Sequence, residues 1–241
     1  AMEAGVELAL GVSVWGAFGR GPASRNLKTP LLGLADENRA WLVAAEKIVV
    51  AAGTRPSVPP IPGLADTPFW TNHEAIEATE VPESLIVMGG GAIGVELAQV
   101  FARFGAQVTI VEGAPRLVPG EEPEASEILT DVLTGEGLRV VTGQTVDSVA
   151  HDGEFLVTVG DEVLRAQALL VATGRRSNAD EVGLDVLGVE LNHGFPPVDG
   201  HMQVVPGVYA IGDIAGKGAF THMSMYEAGI ARQAILGEPG P

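Results

Sequence analysis

The sequence contains no cysteine and few basic residues. The absence of cysteine from all 241 residues excludes disulfides, zinc–thiolate sites, iron–sulfur ligation and a cysteine redox couple built from these residues. Lysine and arginine together number 14 against 31 acidic residues, which gives a formal net charge of −17. Because such a charge repels polyphosphate chains and the basic residues form no stripe, nucleic acid is not expected as a partner.

Long apolar runs are missing as well. No run reaches the roughly 20 residues that a helix needs to cross a bilayer. The N-terminus lacks the basic segment, apolar run and small-residue cleavage site of a secretory signal. With 46% hydrophobic residues, the chain is expected to be a globular, cytoplasmic protein with one large domain or two ordinary ones.

Glycine, in contrast, is abundant at 32 residues, and several glycines fall in the run LIVMGGGAIG. That run leads from an apolar strand into glycines spaced GxGxxG and then into a helical pattern. Gly89 permits a tight turn, Gly91 lets the backbone approach a pyrophosphate, and Gly94 lets the helix pack closely on the strand. The helix start, including Ala92 and Ile93, would supply N–H donors and a partial positive charge to the phosphates.

These glycines stand where a βαβ unit needs them. The patterns predict a buried strand at Ser84–Met88, a helix at Ile93–Phe104 and a second strand at Gln107–Val111. Glu112 closes the second strand, where an acid can bind the adenosine ribose and disfavour the 2′-phosphate of NADP. Arg116 could soften that preference. The motif therefore predicts a NAD site, and the alternative is a βα turn without a ligand.

The segment before this unit predicts a β-meander and an extended connector. Its expected strands are Val6–Leu8, Val12–Phe18, Leu31–Asp36, Ala40–Ala44 and Lys47–Ala51, with a hairpin turn at Asp36-Glu37-Asn38. The prolines between positions 56 and 62 exclude helix and indicate a crossing between domains. Thr71 and Glu74 then form a capping box that begins a short helix.

The segment after the βαβ unit predicts one helix, several strands and a second crossing. The expected elements are a helix at Pro123–Thr134, a parallel strand at Arg139–Val141, an antiparallel meander at Val146–His151, Phe155–Val159 and Glu162–Arg165, and an apolar strand at Ala168–Val171. That last strand ends in Ala172-Thr173-Gly174, which echoes Ala51-Ala52-Gly53. A final helix is expected from Phe220 to about Leu236.

Four segments together resemble the pyridine nucleotide-disulfide oxidoreductase superfamily, of the lipoamide dehydrogenase and mercuric reductase type. They are KIVVAAGTRPSVPPIPGL, LIVMGGGAIGVELAQVFARFGAQVTIVE, ALLVATGRRSN and VPGVYAIGD, in the family's order and spacing. The resemblance implies an α/β fold in which a Rossmann-like, three-layer ββα NAD(P)-binding domain is inserted into a partial FAD-binding domain. The implied boundaries are 1–60 for the FAD-binding β-meander, 61–172 for the NAD(P)-binding domain and 173–241 for the FAD-binding return segment.

The resemblance also implies two cofactor sites. The NAD residues would be Gly89, Gly91, Ala92, Ile93, Gly94, Glu96, Glu112 and Gly174, with Glu96 and Gly174 towards the nicotinamide. The FAD residues would be Ala52, Gly53, Gly212, Asp213, His222 and Met223, with Asp213 accepting hydrogen bonds from the ribityl chain. Two alternatives stay open, since Glu96 could be an exposed helix acid and the His222 side chain could be structural rather than proton-transferring.

Three parts of the family pattern are not found in the sequence. They are the first FAD-binding βαβ unit, the redox cysteine pair, and a C-terminal dimerisation domain with a catalytic His–Glu pair. The resemblance therefore implies an FAD-dependent oxidoreductase that transfers hydride from NADH to flavin and on to a non-thiol small-molecule or protein acceptor. The alternative is a NAD-binding module, subunit or fragment without turnover of its own. A homo-oligomer or a completing partner chain stays open, and no catalytic residue or metal site is assigned.

Overall fold

A computed structural model describes residues 13–18, 31–35, 40–44 and 46–238. The strands are β1 (Ser13–Phe18), β2 (Leu31–Ala35), β3 (Ala40–Ala44), β4 (Ile48–Val50), β5 (Thr54–Pro56), β6 (Ser84–Met88), β7 (Gln107–Glu112), β8 (Arg139–Thr142), β9 (Ser148–His151), β10 (Phe155–Val159), β11 (Glu162–Ala166), β12 (Ala168–Val171), β13 (Arg175–Ser177), β14 (Gln203–Val205) and β15 (Val208–Ala210). The α-helices are α1 (Asn72–Glu77), α2 (Ala92–Arg103), α3 (Pro123–Gly135) and α4 (Thr221–Leu236). The predicted strand Val6–Leu8 and the predicted turn Asp36-Glu37-Asn38 lie outside the described residues.

The chain divides into two compact units. Residues Pro56–Arg175 form one of them, which we call the inserted unit. The parts of the chain before and after it form the other, which we call the flanking unit. The boundaries between the units fall inside the short strands β5 and β13.

The inserted unit has three layers built on a parallel sheet. The sheet has the order β12-β6-β7-β8, and each neighbouring pair is parallel. Helices α1, α2 and α3 pack on one face, and the antiparallel meander β9–β11 packs on the other. This arrangement confirms the three-layer ββα fold predicted from the sequence.

Strand β6 is apolar along its length because it is covered on both sides. Leu85 and Val87 pack into the core beneath the helices, whereas Ile86 and Met88 pack into the core beneath the meander. All four side chains are at most 2% exposed. Each buried side chain of this size contributes about 1.5–3 kcal/mol, so both faces of the strand hold the layers together.

Helix α1 begins with the capping box predicted from Thr71 and Glu74. The Thr71 hydroxyl accepts a hydrogen bond from the His73 N–H at 3.2 Å, and the Glu74 carboxylate accepts one from the Thr71 N–H at 2.7 Å. The Thr71 hydroxyl also donates to Glu74 at 2.6 Å. These hydrogen bonds from Thr71 lower the pKa of the Glu74 carboxyl below its ordinary value.

The flanking unit contains two small sheets and helix α4. Strands β1, β2 and β3 form an antiparallel meander. The second sheet has the order β14-β15-β4, in which β15 runs parallel to β4. Its core includes Ile48, Val208, Ala210 and Ile214. Within the described part of the chain, no helix combines the length and the apolar character needed to span a membrane.

Candidate functional site

The turn after β6 brings backbone segments closer together than any side chain would allow. Gly89 has a φ of +106°, and its N–H donates to the Val111 carbonyl at 2.8 Å. A Cβ at Gly89 would lie 2.3 Å from the Ala172 carbonyl oxygen, and one at Gly94 would lie 2.0 Å from the Gly89 carbonyl oxygen. Packing within the protein therefore requires glycine at both positions.

Gly91 is a glycine for a different reason. It is the N-cap of α2, and a Cβ built on it would meet no atom within 4 Å. Its side of the turn is thus open to solvent rather than filled by the protein. The N–H groups of the first helical turn, including those of Ala92 and Ile93, have no acceptor one turn earlier, and the helix dipole adds partial positive charge there. This corner suits an anion that approaches the backbone closely.

Gly90, which the GxGxxG spacing leaves unassigned, is fixed by a strap formed by residues 114–118. A Cβ at Gly90 would lie 2.5 Å from Cδ2 of Leu117, a fully buried side chain. The Gly90 carbonyl accepts the Val118 N–H at 2.8 Å. Val118 has a φ of +39°, which is rare for a β-branched residue and occurs chiefly at constrained sites. The strap therefore holds the glycine turn from the β7 side.

Glu112 completes the link between β7 and the glycine turn. Its Oε2 accepts the Gly90 N–H at 2.5 Å, and its Oε1 accepts the Ala114 N–H at 2.6 Å. Each carboxylate oxygen can accept a second hydrogen bond, so both can still receive hydroxyl donors from a ligand. The half-buried negative charge would repel a phosphate placed against it.

The Arg116 guanidinium is directed to the strap's own backbone. It donates to the Pro119 carbonyl at 2.8 Å and to the Val118 carbonyl at 3.4 Å. Both terminal nitrogens of this side chain thus donate to backbone carbonyls of the segment that follows Glu112. The arrangement therefore leaves the acid as the dominant charge beside the turn.

The parallel strands bring these elements to one edge of the sheet. The glycine turn follows β6, Glu112 ends β7, and Gly174 follows the neighbouring strand β12. Gly174 is exposed, with a φ of +138°, and its carbonyl accepts the Ser57 N–H at 2.9 Å. Glu96 is exposed on α2. Ligands of open α/β sheets bind at this carboxyl edge.

In the flanking unit, two neighbouring parallel strands also end at a common edge. Ala52 and Gly53 follow β4, and Gly212 and Asp213 follow β15. The half-buried Asp213 carboxylate accepts the Thr54 hydroxyl at 3.2 Å. This edge thus presents an oriented acid beside two glycine-containing turns.

The segment after β4 is fixed by polar contacts from the segment after β13. The Asn178 side-chain N–H donates to the Ala52 carbonyl at 2.7 Å, and its backbone N–H donates to the Gly53 carbonyl at 3.2 Å. Arg55 forms a salt bridge with Asp180 at 2.6 Å. The hydrogen bond from the Arg55 guanidinium lowers the pKa of the Asp180 carboxyl.

His222 and Met223 lie in the first turn of α4. The exposed His222 ring stacks on the Phe220 ring, with 5.4 Å between the ring centroids and 16° between the planes. The Met223 N–H donates to the Phe220 carbonyl at 3.0 Å. The helix start therefore presents aromatic and backbone groups rather than a charged pair.

Sequence reasoning missed one buried acid beside the second edge. Glu227 is 2% exposed, and its Oε2 accepts the Gly212 N–H at 2.5 Å. A signal was available, because Glu227 is the only acidic residue of α4 and stands among small and apolar neighbours. Gly90 was missed because its constraint comes from Leu117, which is distant in the sequence.

Comparison with known proteins gives one family. The family profile described as "Pyridine nucleotide-disulphide oxidoreductase" matches residues 2–228. Dihydrolipoyl dehydrogenase of Chlorobaculum tepidum is 43% identical over 206 residues, which are 82% of this chain and 44% of that protein. Mercuric reductase of Acidithiobacillus ferrooxidans is 39% identical over 186 residues, which are 76% of this chain and 34% of that protein.

Solved structures agree with this similarity. The HOCl-induced flavoprotein disulfide reductase RclA from Escherichia coli superposes with a TM-score of 0.80 at 30% identity, covering 87% of this chain and 49% of that one. LpdA from Mycobacterium tuberculosis superposes with a TM-score of 0.83 at 23% identity, covering 94% of this chain and 50% of that one. The latter likeness concerns the fold alone. This chain spans half or less of the length of each of these relatives.

Proposed function

The chain belongs to the pyridine nucleotide-disulphide oxidoreductase family, and from that premise we propose that it is the NAD-binding and partial FAD-binding portion of an FAD-dependent NAD(P)H oxidoreductase. In this proposal the inserted unit holds NADH, and the flanking unit contributes part of a flavin site. Hydride would pass from NADH to the flavin and from there to an acceptor.

The single observation that carries the nucleotide assignment is the contrast among the motif glycines. Gly89 and Gly94 are required by contacts inside the protein, whereas Gly91 faces open space at the start of α2. A side chain at Gly91 would occupy the open space at the start of α2, so glycine there leaves room for a pyrophosphate to approach the backbone. Ala92 and Ile93 would donate their N–H groups to the pyrophosphate.

Glu112 favours NAD over NADP. Its carboxylate stands beside the glycine turn at the carboxyl edge of the sheet, where the adenosine ribose would lie. The guanidinium of Arg116 donates to the carbonyls of Val118 and Pro119 and makes no ion pair with Glu112, so the negative charge of the acid is not neutralised by this neighbour. Glu96 and Gly174 would lie towards the nicotinamide end of the same edge.

The flavin assignment is supported by the second edge. Asp213, oriented by the Thr54 hydroxyl, would accept hydrogen bonds from the ribityl chain. Ala52, Gly53 and Gly212 would supply the neighbouring backbone. The start of α4 at His222 and Met223 would face the flavin pyrimidine, where a helix N-terminus favours developing negative charge.

All the proposed NAD residues except Gly174 lie within residues 61–172, and all the proposed FAD residues lie outside that range, which supports a domain assignment. We assign residues 61–172 to NAD(P) binding, and 1–60 and 173–241 to the FAD-binding part. The compact unit Pro56–Arg175 has boundaries close to those of the first range. An insertion of this kind lets one chain carry both cofactors.

When bound, the flavin supplies the hydride-accepting chemistry, while the protein binds and orients the partners. The 241 residues contain no cysteine, so they offer no thiol as the next electron acceptor. For these residues we propose a non-thiol acceptor, either a small molecule or a protein redox centre. A cytoplasmic location is proposed separately. A NAD-binding module without turnover is the competing proposal, and it is supported by the separate compactness of the inserted unit.

Titration with FAD, followed by quenching of flavin fluorescence, separates these two proposals. We expect saturable FAD binding that Asp213→Ala weakens by about tenfold, the effect of losing one charge-assisted hydrogen bond. Asp161→Ala, which removes an exposed acid in the hairpin between β10 and β11, is the control for the change in net charge. NADH binding without any FAD binding would instead support the module.

A further inference from the structure

Glu227 is a buried acid that has no cationic partner among the described residues. Its side chain lies in α4 with 2% exposure, and within residues 46–238 it forms no ion pair. Oε2 accepts the Gly212 N–H at 2.5 Å, whereas Oε1 has no hydrogen-bond partner among the described residues. Burying a carboxyl with an unsatisfied oxygen is costly, so the retention of an acid here calls for a specific role.

The contact partner of Glu227 is the turn that carries Asp213. Gly212 has a φ of +76°, and a Cβ there would lie 3.0 Å from the Ser224 hydroxyl oxygen. Ser224 and Glu227 are three residues apart and therefore lie on the same face of α4. That face thus meets the turn twice, once by close packing and once through the hydrogen bond to the Gly212 N–H.

This double contact sets the backbone that precedes Asp213. Gly212, whose N–H donates to Glu227, is the residue immediately before Asp213. The Asp213 carbonyl closes the turn by accepting the Gly216 N–H at 3.1 Å. The Asp213 carboxylate receives the Thr54 hydroxyl from the other side. Without the hydrogen bond to Glu227, the backbone at Gly212 would be less constrained. The direction of the Asp213 side chain, which depends on that backbone, would then be less well defined.

We propose that Glu227 is a positioning residue of the flavin site, whose buried carboxylate holds the Gly212 N–H and thereby orients Asp213. This inference rests on the proposed function for its flavin half. In this proposal Glu227 does not contact the flavin. It is necessary for tight flavin binding only because it holds the turn that carries Asp213.

The test compares Glu227→Leu with Glu227→Gln, because a Gln side-chain oxygen can still accept the Gly212 N–H. Gln233→Leu is the matched control, since Gln233 also lies in α4 and its buried side-chain oxygen has no hydrogen-bond partner in the part of the chain that the structure describes. Amide hydrogen exchange of Gly212 by nuclear magnetic resonance reports the turn, and FAD titration reports the site. Melting temperatures report general destabilisation.

We expect Glu227→Leu to accelerate exchange at Gly212 and to weaken FAD binding, each by about tenfold relative to Gln233→Leu. Glu227→Gln should stay close to the wild type in both measurements. Wild-type exchange and FAD affinity in the Leu variant would overturn the proposal, as would equal losses in the Leu and Gln variants.

Two further outcomes remain decisive. If the wild type binds no FAD, the flavin part of the proposed function fails, but exchange at Gly212 still tests whether Glu227 holds the turn. If Glu227→Leu does not fold, amide exchange at Gly212 in the wild type and in Glu227→Gln tests whether residue 227 holds the turn. A protected Gly212 amide in both supports the proposal, and a freely exchanging one overturns it.

Discussion

The carboxylate of Glu112 and the N–H of Gly90 are joined by a hydrogen bond of 2.5 Å, which ties the end of β7 to the glycine turn after β6. The acid is therefore oriented before any ligand arrives. Preorganisation of this kind reduces the entropy lost on binding. The same contact gives Glu112 a structural role in the turn, in addition to the ribose-binding role that we propose for it.

Glu112→Ala should reduce the preference for NADH over NADPH. The substitution removes both the acceptor for ribose hydroxyls and the charge that repels a 2′-phosphate. We expect the ratio of the two dissociation constants to change by about tenfold, the effect of one charge-assisted hydrogen bond. Titration calorimetry with each nucleotide measures the ratio. An unchanged ratio would exclude Glu112 as the ribose ligand. If both affinities also fell by the same factor, Glu112 would act only in the turn.

Gly91→Val should abolish NADH binding while the fold is retained. A Cβ at this position meets no protein atom within 4 Å, so the new side chain would occupy the space that we propose for the pyrophosphate. Gly120→Val is the control, because a Cβ there also meets nothing within 4 Å. Calorimetric titration with NADH should show binding for the control alone. Wild-type NADH affinity in Gly91→Val would refute the assignment of the GxGxxG motif to nucleotide binding.

Gly94→Ala should destabilise the inserted unit by about 3 kcal/mol, at the upper end of the usual cost of overpacking. The reason is the 2.0 Å separation between the added Cβ and the Gly89 carbonyl oxygen. Gly135→Ala, in α3 with no atom within 4 Å of its Cβ, should be neutral or slightly stabilising. Urea unfolding followed by circular dichroism measures both. Equal stabilities would show that the turn can relax around the methyl group.

Thr71→Ala should cost about 1 kcal/mol at neutral pH, as expected for the loss of an N-cap. Thr71 lowers the pKa of Glu74 from its ordinary value of 4.5. A depressed folded-state pKa gives stability that is full above the ordinary value and is lost as the pH falls through the depressed one. The difference in unfolding free energy between Thr71→Ala and the wild type should therefore shrink as the pH falls below about 4.

Thr134→Ala is the matched control for that pH series. The Thr134 hydroxyl donates to the Thr130 carbonyl within α3, and neither group titrates. Its effect on the unfolding free energy should stay constant over the same pH range. If the Thr71→Ala difference were equally constant, the ionisation of Glu74 would not be linked to the capping box.

The sequence predicted the features of this protein that depend on near neighbours along the chain. The capping box of Thr71 and Glu74 is complete within four residues, and the patterns around β6 and α2 carry their own periodicity. For these elements the structure differs from the prediction by only a residue or two at the ends. Gly89 and Gly94 were also predictable, because the close packing of strand and helix is a local property of the motif.

The remaining features depend on contacts between residues that are distant in the sequence. The pairing of Glu112 with Gly90 requires the register between β6 and β7, and the role of Gly90 requires the position of Leu117. The sequence marks Glu227 as the only acid of α4 but does not identify its partner, because Gly212 is fifteen residues away along the chain. Only Glu227 and Ala231 of α4 are buried, so helical periodicity does not identify what the helix contacts.

An anaerobic titration of the purified, FAD-loaded protein with NADH, followed by visible absorption, tests the central claim most directly. We expect the protein to retain flavin, and we expect NADH to bleach the visible absorption of that flavin in proportion to the amount added. In the proposed function NADH is the hydride donor and the flavin is the acceptor. A protein that binds NADH but whose flavin spectrum does not change, or that retains no flavin, would contradict the claim that these residues form an oxidoreductase.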